Sequence, residues 1–313
     1  ARPAARRPVS PRPAAPRDPP GLRSCRACAA ARPVHRRGAR AHPGRSGRGR
    51  RVRHPHRPRP AVRLRPGPGR TDRGEARRPA ADRAAGMFST WGGGYRGASV
   101  SVVSGGSGSP EAELVLHELM ENTGATTYLR VGGSGGMHPR VRPGDLVIAS
   151  GVVRDEGMTA AYVPPSWPAA ADPLVVLALA RAAHDSGAPY HVGTIRSTDS
   201  DFVAGGRPGV GGYLQSWHTT LVDDWARAGV LAGDRESAAI VTLARLFGRR
   251  GGAICSVADN ISTGAPFETG AGHIAAIDVA LDGTALLHRL DRAAEAEGLP
   301  MWLPRYDTPE ETR

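Results

Sequence analysis

Ala98-Ser-Val-Ser-Val-Val103 alternates small polar and apolar side chains, Ser104-Gly-Gly-Ser-Gly-Ser109 follows, and a mixed polar and apolar run extends from Pro110 to Glu121. The first segment has the two-residue period of a strand. The second is a glycine-rich turn. The third predicts a helix with Ser109 as N-cap and Pro110 in the first helical position. A strand feeding through a tight turn into a helix is the building unit of α/β proteins.

Outward from this unit the pattern repeats. Thr126-Thr-Tyr-Leu-Arg-Val131 predicts a strand that ends in a glycine cluster, and Asp145-Leu-Val-Ile-Ala-Ser-Gly-Val-Val153 another. Asp172-Pro173 opens a helix through Val175, Val176, Leu179 and Ala183, closed by Gly187, and Tyr190-His-Val-Gly-Thr-Ile195 returns as a strand. From Glu236 to Phe247 the stripe Ile240, Leu243, Ala244, Phe247 has helical spacing, with Gly251-Gly252 as the expected stop. Ala253-Ile-Cys-Ser-Val-Ala258 is nearly all apolar, as a strand covered on both faces would be. A last helix spans about His273 to Ala296. The expected fold is α/β: three α/β/α layers with a central mixed sheet, over residues 87–300, with a short tail at 301–313. In such sheets ligands sit at the carboxyl ends of the strands, so the segments after Val103, Val131, Ile195, Leu231 and Ala258 matter most.

Residues 1–86 have a different composition. They hold 25 Arg against 4 acidic residues and 15 of the 28 Pro, with no Phe, Tyr or Trp, whereas the rest of the chain is mildly acidic. Such a segment cannot bury enough apolar surface to offset the entropy of ordering, so a disordered Arg/Pro-rich arm is expected. The absence of Lys and the abrupt change at Gly86-Met87 also fit a GC-rich gene translated upstream in a wrong frame or from a wrong start. A functional basic arm is the third possibility; without aromatic residues to stack on bases it would neutralise phosphates with little sequence preference, and nucleic acid is not the expected partner. No run approaches a membrane span. Cys25 and Cys28 form a CxxC without a second ligand pair, and Cys255 falls in an apolar strand, so no metal is expected and a reduced, cytoplasmic protein is.

At the strand ends the chemistry concentrates. Arg130 precedes Gly132-Gly133-Ser134-Gly135-Gly136, and an Arg near the end of a central strand is costly to bury without an anion. Arg196-Ser-Thr-Asp-Ser-Asp-Phe-Val-Ala-Gly-Gly-Arg207 combines an aromatic ring and two guanidiniums, which suits a planar heterocycle with carbonyls. Glu236 stands at a helix start, where it can cap that helix or take both hydroxyls of a pentose.

Arg130-Val-Gly-Gly-Ser-Gly135, the Ser197-to-Arg207 loop and Asp234-Arg-Glu-Ser-Ala238, in this order and spacing, resemble the uridine phosphorylases of the nucleoside phosphorylase superfamily. Val153-Arg154, Ala161-Tyr162 and Pro168-Ala-Ala-Ala-Asp172 extend the likeness, which runs from about Phe88 to Ala296. The resemblance implies metal-free and cofactor-free phosphorolysis, in which inorganic phosphate as co-substrate attacks the anomeric carbon of a nucleoside. It implies that Arg130, Gly132 and Gly133 hold phosphate, that Ser134, Gly135, Phe202 and Arg207 meet the base, and that Glu236, with Arg235 beside it, holds the ribose. Arg130, Arg207 and Glu236 would be the catalytic set. It further implies a homo-oligomer, a dimer or a hexamer.

The departures are specific. The family's base loop has an aromatic residue where Asp201 stands and Gln where Gly205 stands, with Phe202 as the nearest ring. A hydroxyl residue is replaced by Gly133 and a Met by Arg235. Gly67-Pro-Gly-Arg70 only approaches the family's phosphate loop, and an intersubunit Arg expected before Phe88 is absent, Gly86 standing about there. Asp259 resembles the purine-protonating acid of related purine phosphorylases, although Gly272 falls where their accompanying Arg stands. His117, His184 and His273 lack a partner motif and are expected to be structural. The expected function is phosphorolysis of uridine; the alternatives are a purine nucleoside phosphorylase and a catalytically impaired nucleoside-binding homologue.

Overall fold

The computed structural model of the protein describes residues 83–85 and 88–305. Cys25, Cys28, the Gly67-to-Arg70 segment and nearly all of the expected arm lie outside the described residues. Arg83–Ala85, which composition assigns to that arm, instead forms strand β1 and pairs antiparallel with β2 (Phe88–Tyr95). The chain reverses at Arg96-Gly97, both at positive φ, as two-residue hairpin turns require, and enters β3 (Ala98–Val103).

Helix α1 (Ser109–Asn122) starts one residue earlier than expected, with Gly108 at φ 95° as N-cap. Glycine tolerates that backbone and Ser does not. Ser109, expected to cap, donates its hydroxyl to the Arg235 carbonyl at 2.8 Å. The chain continues through β4 (Thr127–Gly136), β5 (Leu146–Asp155), β6 (Ala169–Ala170), α2 (Pro173–Ser186), β7 (Tyr190–Thr198), α3 (Leu221–Arg227), β8 (Val230–Asp234), α4 (Ser237–Leu246), β9 (Arg250–Asn260) and α5 (His273–Ala296). Among these α2 forms as its sequence predicts. Asp172 Oδ1 accepts from Leu174 N and Val175 N at 3.0 and 3.1 Å, Pro173 opens the helix, and Gly187 closes it at φ 72°.

The central sheet has the order β6-β5-β7-β8-β4-β9. It is mixed: β5/β7, β7/β8 and β4/β9 run parallel, while β4/β8 and β5/β9 run antiparallel. The last of these pairings curls the sheet back on itself. Helices cover both faces. On one, Leu146, Ile148 and Ile254 pack against Leu174, Val175, Leu179, Val279 and Leu287 of α2 and α5; on the other, Val147, Ile195, Leu231, Cys255 and Val257 pack with Ala238 and Val241 of α4. No described helix is long and apolar enough to cross a membrane.

Two glycine clusters differ from expectation. Gly132 to Gly136, expected as a loop after Val131, is the second half of β4, because eleven-residue β9 offers it a continuous ladder. Gly251-Gly252, expected to stop α4, lies in β9; the helix ends at Leu246 and Gly248 takes the left-handed turn at φ 68°. The β9 pair is glycine for packing: a Cβ on Gly251 would stand 2.9 Å from the Val241 Cα of α4.

Candidate active site

The antiparallel crossing of β4 and β8 sets the first half of the site, since it brings Gly135 opposite Gly233 and Arg130 beside the end of β8. Arg130 Nη2 lies 2.6 Å from Glu236 Oε2 and donates to the Gly133 carbonyl at 3.2 Å, and its Nε lies 3.1 Å from Asp234 Oδ2. The guanidinium spreads over the Cα of Gly132, where a side chain would overlap Nη1. Burial opposes its charge, yet the carboxylates of Asp234 and Glu236 outweigh that and raise its basicity further. Cys255, fully enclosed behind Arg130, is itself pushed up to about 12 by burial and stays a neutral thiol at physiological pH.

Asp234 carries a role that no sequence pattern signals. Its side chain is wholly buried; it accepts from Ser197 Oγ and Ser237 Oγ at 2.5 Å and from Ser237 N at 3.0 Å. It therefore satisfies the N-terminus of α4 and anchors Arg130 at once. Glu236, freed from capping, accepts at Oε1 from Gly108 N at 2.6 Å and so ties down the glycine-rich turn before α1. Arg235 turns the other way, to Ser107 Oγ and Asp201 Oδ2 at 3.1 and 3.2 Å.

The second half comes from the ends of β7 and β9. Arg196, 3% exposed, is structural: it pairs with Asp155, donates to the Ala204 carbonyl at 2.5 Å and lies 5.2 Å over the Trp225 ring, fixing the loop after β7. That loop delivers Arg207, whose Nη1 donates to the Asp201 carbonyl at 2.9 Å and whose Nη2 bonds Asp259 Oδ2. The β4/β9 register slips here. Ser134 pairs with Val257 but Gly135 pairs with Asp259, leaving Ala258 as an extra residue. This bulge turns Asp259 to the face opposite Val257.

These groups line one cleft of about 560 Å³: Arg130, Gly133, Ser134, Gly135, Arg207, Arg235, Glu236 and Asp259 all face it. Gly132 lies under the Arg130 guanidinium rather than on the cleft wall. Ser134 contributes through its backbone, since its hydroxyl donates to the Ser256 carbonyl at 3.1 Å. Phe202, expected to meet the base, is 62% exposed and outside the cleft; it sits at the turn that starts the loop's short helical segment, and Phe267 and Ile261 supply apolar wall instead. His273, expected to be structural, stands at the rim with Nε2 3.2 Å from the position a Gly133 Cβ would take. Its start-of-helix position carries no spacing signal. The chemistry on offer is an anion site at Arg130, a hydroxyl acceptor at Glu236 and a base edge at Arg207 and Asp259.

The sequence profile described as the phosphorylase superfamily matches residues 75–289. The chain belongs to that superfamily. Its relatives include a uridine phosphorylase of Thermococcus kodakarensis, 40% identical over 218 residues that make up 69% of this chain and 77% of the relative. A guanosine phosphorylase of Halorubrum lacusprofundi is 35% identical over 54% of this chain and 65% of its own, and the uridine phosphorylase of Escherichia coli is 31% identical over 55% and 68%. A phosphorylase must hold phosphate in line with the bond it breaks. In this member of the superfamily, the guanidinium that could do so is already clamped between Asp234 and Glu236. Its orientation is thus fixed before any ligand arrives.

Proposed function

We propose that the protein cleaves the N-glycosidic bond of uridine with inorganic phosphate, giving uracil and ribose 1-phosphate. The observation that carries this is Arg130 and Glu236 in contact at 2.6 Å, on the same cleft as Arg207. Phosphate binds at Arg130, near the backbone of Gly133. Glu236, whose two oxygens still have lone pairs to offer beyond Arg130 and Gly108, accepts the ribose hydroxyls. As the glycosidic bond breaks, its electron pair passes to the base, and the sugar acquires oxocarbenium character. A phosphate oxygen then bonds the anomeric carbon, and the proton that the hydrogen phosphate gives up ends on N1 of the departing uracil. Arg207 donates to a base carbonyl and stabilises the negative charge as it develops, while phosphate stabilises the positive charge. No covalent intermediate and no cofactor enters this scheme; phosphate is the co-substrate.

Two further expectations belong to the same proposal. The protein works as a homo-oligomer, a dimer or hexamer, and acts in the cytoplasm in nucleoside catabolism and pyrimidine salvage. A purine nucleoside is the second substrate reading, favoured by Asp259 standing in the cleft beside Arg207. Incubation of the purified chain with uridine or inosine, with and without phosphate, tests all of this. Phosphate-dependent release of uracil with equimolar ribose 1-phosphate supports the proposal. Binding without release points to the impaired homologue, and release from inosine alone to the purine reading.

A further inference from the structure

We propose that Asp259 and Arg207 together form a two-point reader of a lactam edge, with Asp259 Oδ1 accepting the ring N–H and Arg207 donating to the adjacent carbonyl. This rests on the phosphorolysis proposed above and specifies which bases that site takes. Asp259 is oriented as an acceptor. Its Oδ2 is engaged by Arg207 Nη2, and among the described residues nothing donates to Oδ1. That oxygen stands 2.9 Å from the position a Gly135 Cβ would occupy, and Arg207 Nη2 stands 3.3 Å from the same position. Gly135 therefore keeps open the space into which both groups point. The bulge at Ala258 is what puts the carboxylate there, since unbroken alternation would leave Asp259 on the face of Val257.

The placement along β4 fits a nucleoside. The Arg130 guanidinium bonds at Gly133 and the Asp259–Arg207 pair sits at Gly135, two residues and about 7 Å further along the strand. An anion and sugar at the first position would carry the base edge to the second. Gly205 presents no side chain to this edge, where the base loop it resembles has a Gln with one donor and one acceptor. A Cβ on Gly205 would be 3.5 Å from Arg207 Nη1, so that the missing side chain would have occupied the same region. The carboxylate and guanidinium supply the same donor and acceptor from two different strand ends.

The pattern selects by chemistry. Uracil and the 6-oxopurines present a carbonyl next to a ring N–H, which is complementary to Arg207 and Asp259. Cytosine and adenine present a ring nitrogen lone pair instead, which would face the carboxylate, and an exocyclic amine that cannot accept from the guanidinium. Sites built to bond an N–H reject analogues that lack it by large factors, because a buried polar group is left unpaired.

The test compares uridine, cytidine and 3-methyluridine, which keeps both carbonyls and carries N–CH3 in place of the N–H. For the natural chain, kcat/KM should fall at least about 100-fold from uridine to either analogue. Asp259→Ala should lower uridine strongly and 3-methyluridine little, shrinking that ratio to within about tenfold, and Asp259→Asn should restore part of the uridine rate through its carboxamide oxygen. Should Asp259→Ala lower uridine and 3-methyluridine equally, or the natural chain accept 3-methyluridine as well as uridine, the reader does not exist. Calorimetric binding of free uracil, cytosine and 3-methyluracil repeats the comparison without turnover. Selective uracil binding by an inactive chain would sink the reaction and keep the reader; equal binding of the three bases would sink the reader.

Discussion

Replacing Asp234 should damage stability and phosphate affinity together, because one wholly buried carboxylate serves both. It accepts two hydroxyls and the first N–H of α4, and it lies 3.1 Å from Arg130 Nε. Asp234→Ala removes those acceptors and leaves Arg130 with Glu236 as its remaining carboxylate partner. Breaking one side of a buried ion pair costs about 3–5 kcal/mol. In a domain of this size that corresponds to a fall in Tm of about 6–20 °C. Asp234→Asn keeps the shape and can still accept from Ser197 and Ser237, so it should lose less stability while still weakening the hold on Arg130. Urea unfolding with a constant m value measures the first effect, and KM for phosphate at saturating nucleoside the second. The reasoning is refuted if Asp234→Ala unfolds within 1 kcal/mol of the natural chain, or if Asp234→Asn leaves KM for phosphate unchanged.

Other outcomes follow from single contacts. Gly132→Ala places a methyl where Arg130 Nη1 lies, so kcat/KM for phosphate should drop at least about tenfold, a loss of roughly 1.4 kcal/mol, and Tm should fall as well, since the displaced guanidinium loosens its contacts with Asp234 and Glu236. Cys255 is raised from an ordinary value of 9.0 to about 12 by burial. The unfolded chain therefore loses this proton first, and stability falls as pH rises from about 9 towards 12, by up to about 4 kcal/mol; Cys255→Ala should flatten that part of the urea-unfolding pH profile. Gly283 lets α5 approach α2, and a Cβ there would stand 2.9 Å from Leu179 Cδ2 and 3.3 Å from its Cα. Gly283→Ala should destabilise by about 1–3 kcal/mol in urea unfolding without changing KM.

Local chemistry made much of the fold legible. Alternation placed β3, and Asp172-Pro173 with Gly187 bounded α2, because caps and periodicity act within a few residues. Glycine runs defeated this reading twice. Gly132 to Gly136 and Gly251-Gly252 look like loops because glycine carries no side-chain pattern, and only their ladder partners and the close approach of α4 make them strand. The β5/β9 closure and the β4/β8 crossing depend on pairings between distant segments, which no local window contains.

The site divides in the same way. Arg130, Glu236 and Arg207 stand out in the sequence as charges beside glycine-rich or polar segments, and the structure brings all three to one cleft. The work of Asp234, capping α4 and holding Arg130, becomes visible only when β4 crosses β8. Phe202 is the nearest ring within the base loop, but it stands outside the cleft, whereas Phe267, from the chain after β9, lines it. Asp259, which the resemblance marks as a possible purine-type acid, stands in the cleft in contact with Arg207, a pairing no local window of sequence contains.

The most direct test is a crystal structure of the chain with phosphate and a uridine-shaped C-nucleoside whose base cannot leave. Phosphate oxygens within hydrogen-bond reach of the Arg130 guanidinium, the pentose diol on the Glu236 carboxylate and a base carbonyl against Arg207, in one continuous ligand, are the predicted result. A nucleoside bound elsewhere, or one whose sugar contacts neither position 130 nor position 236, would contradict the account.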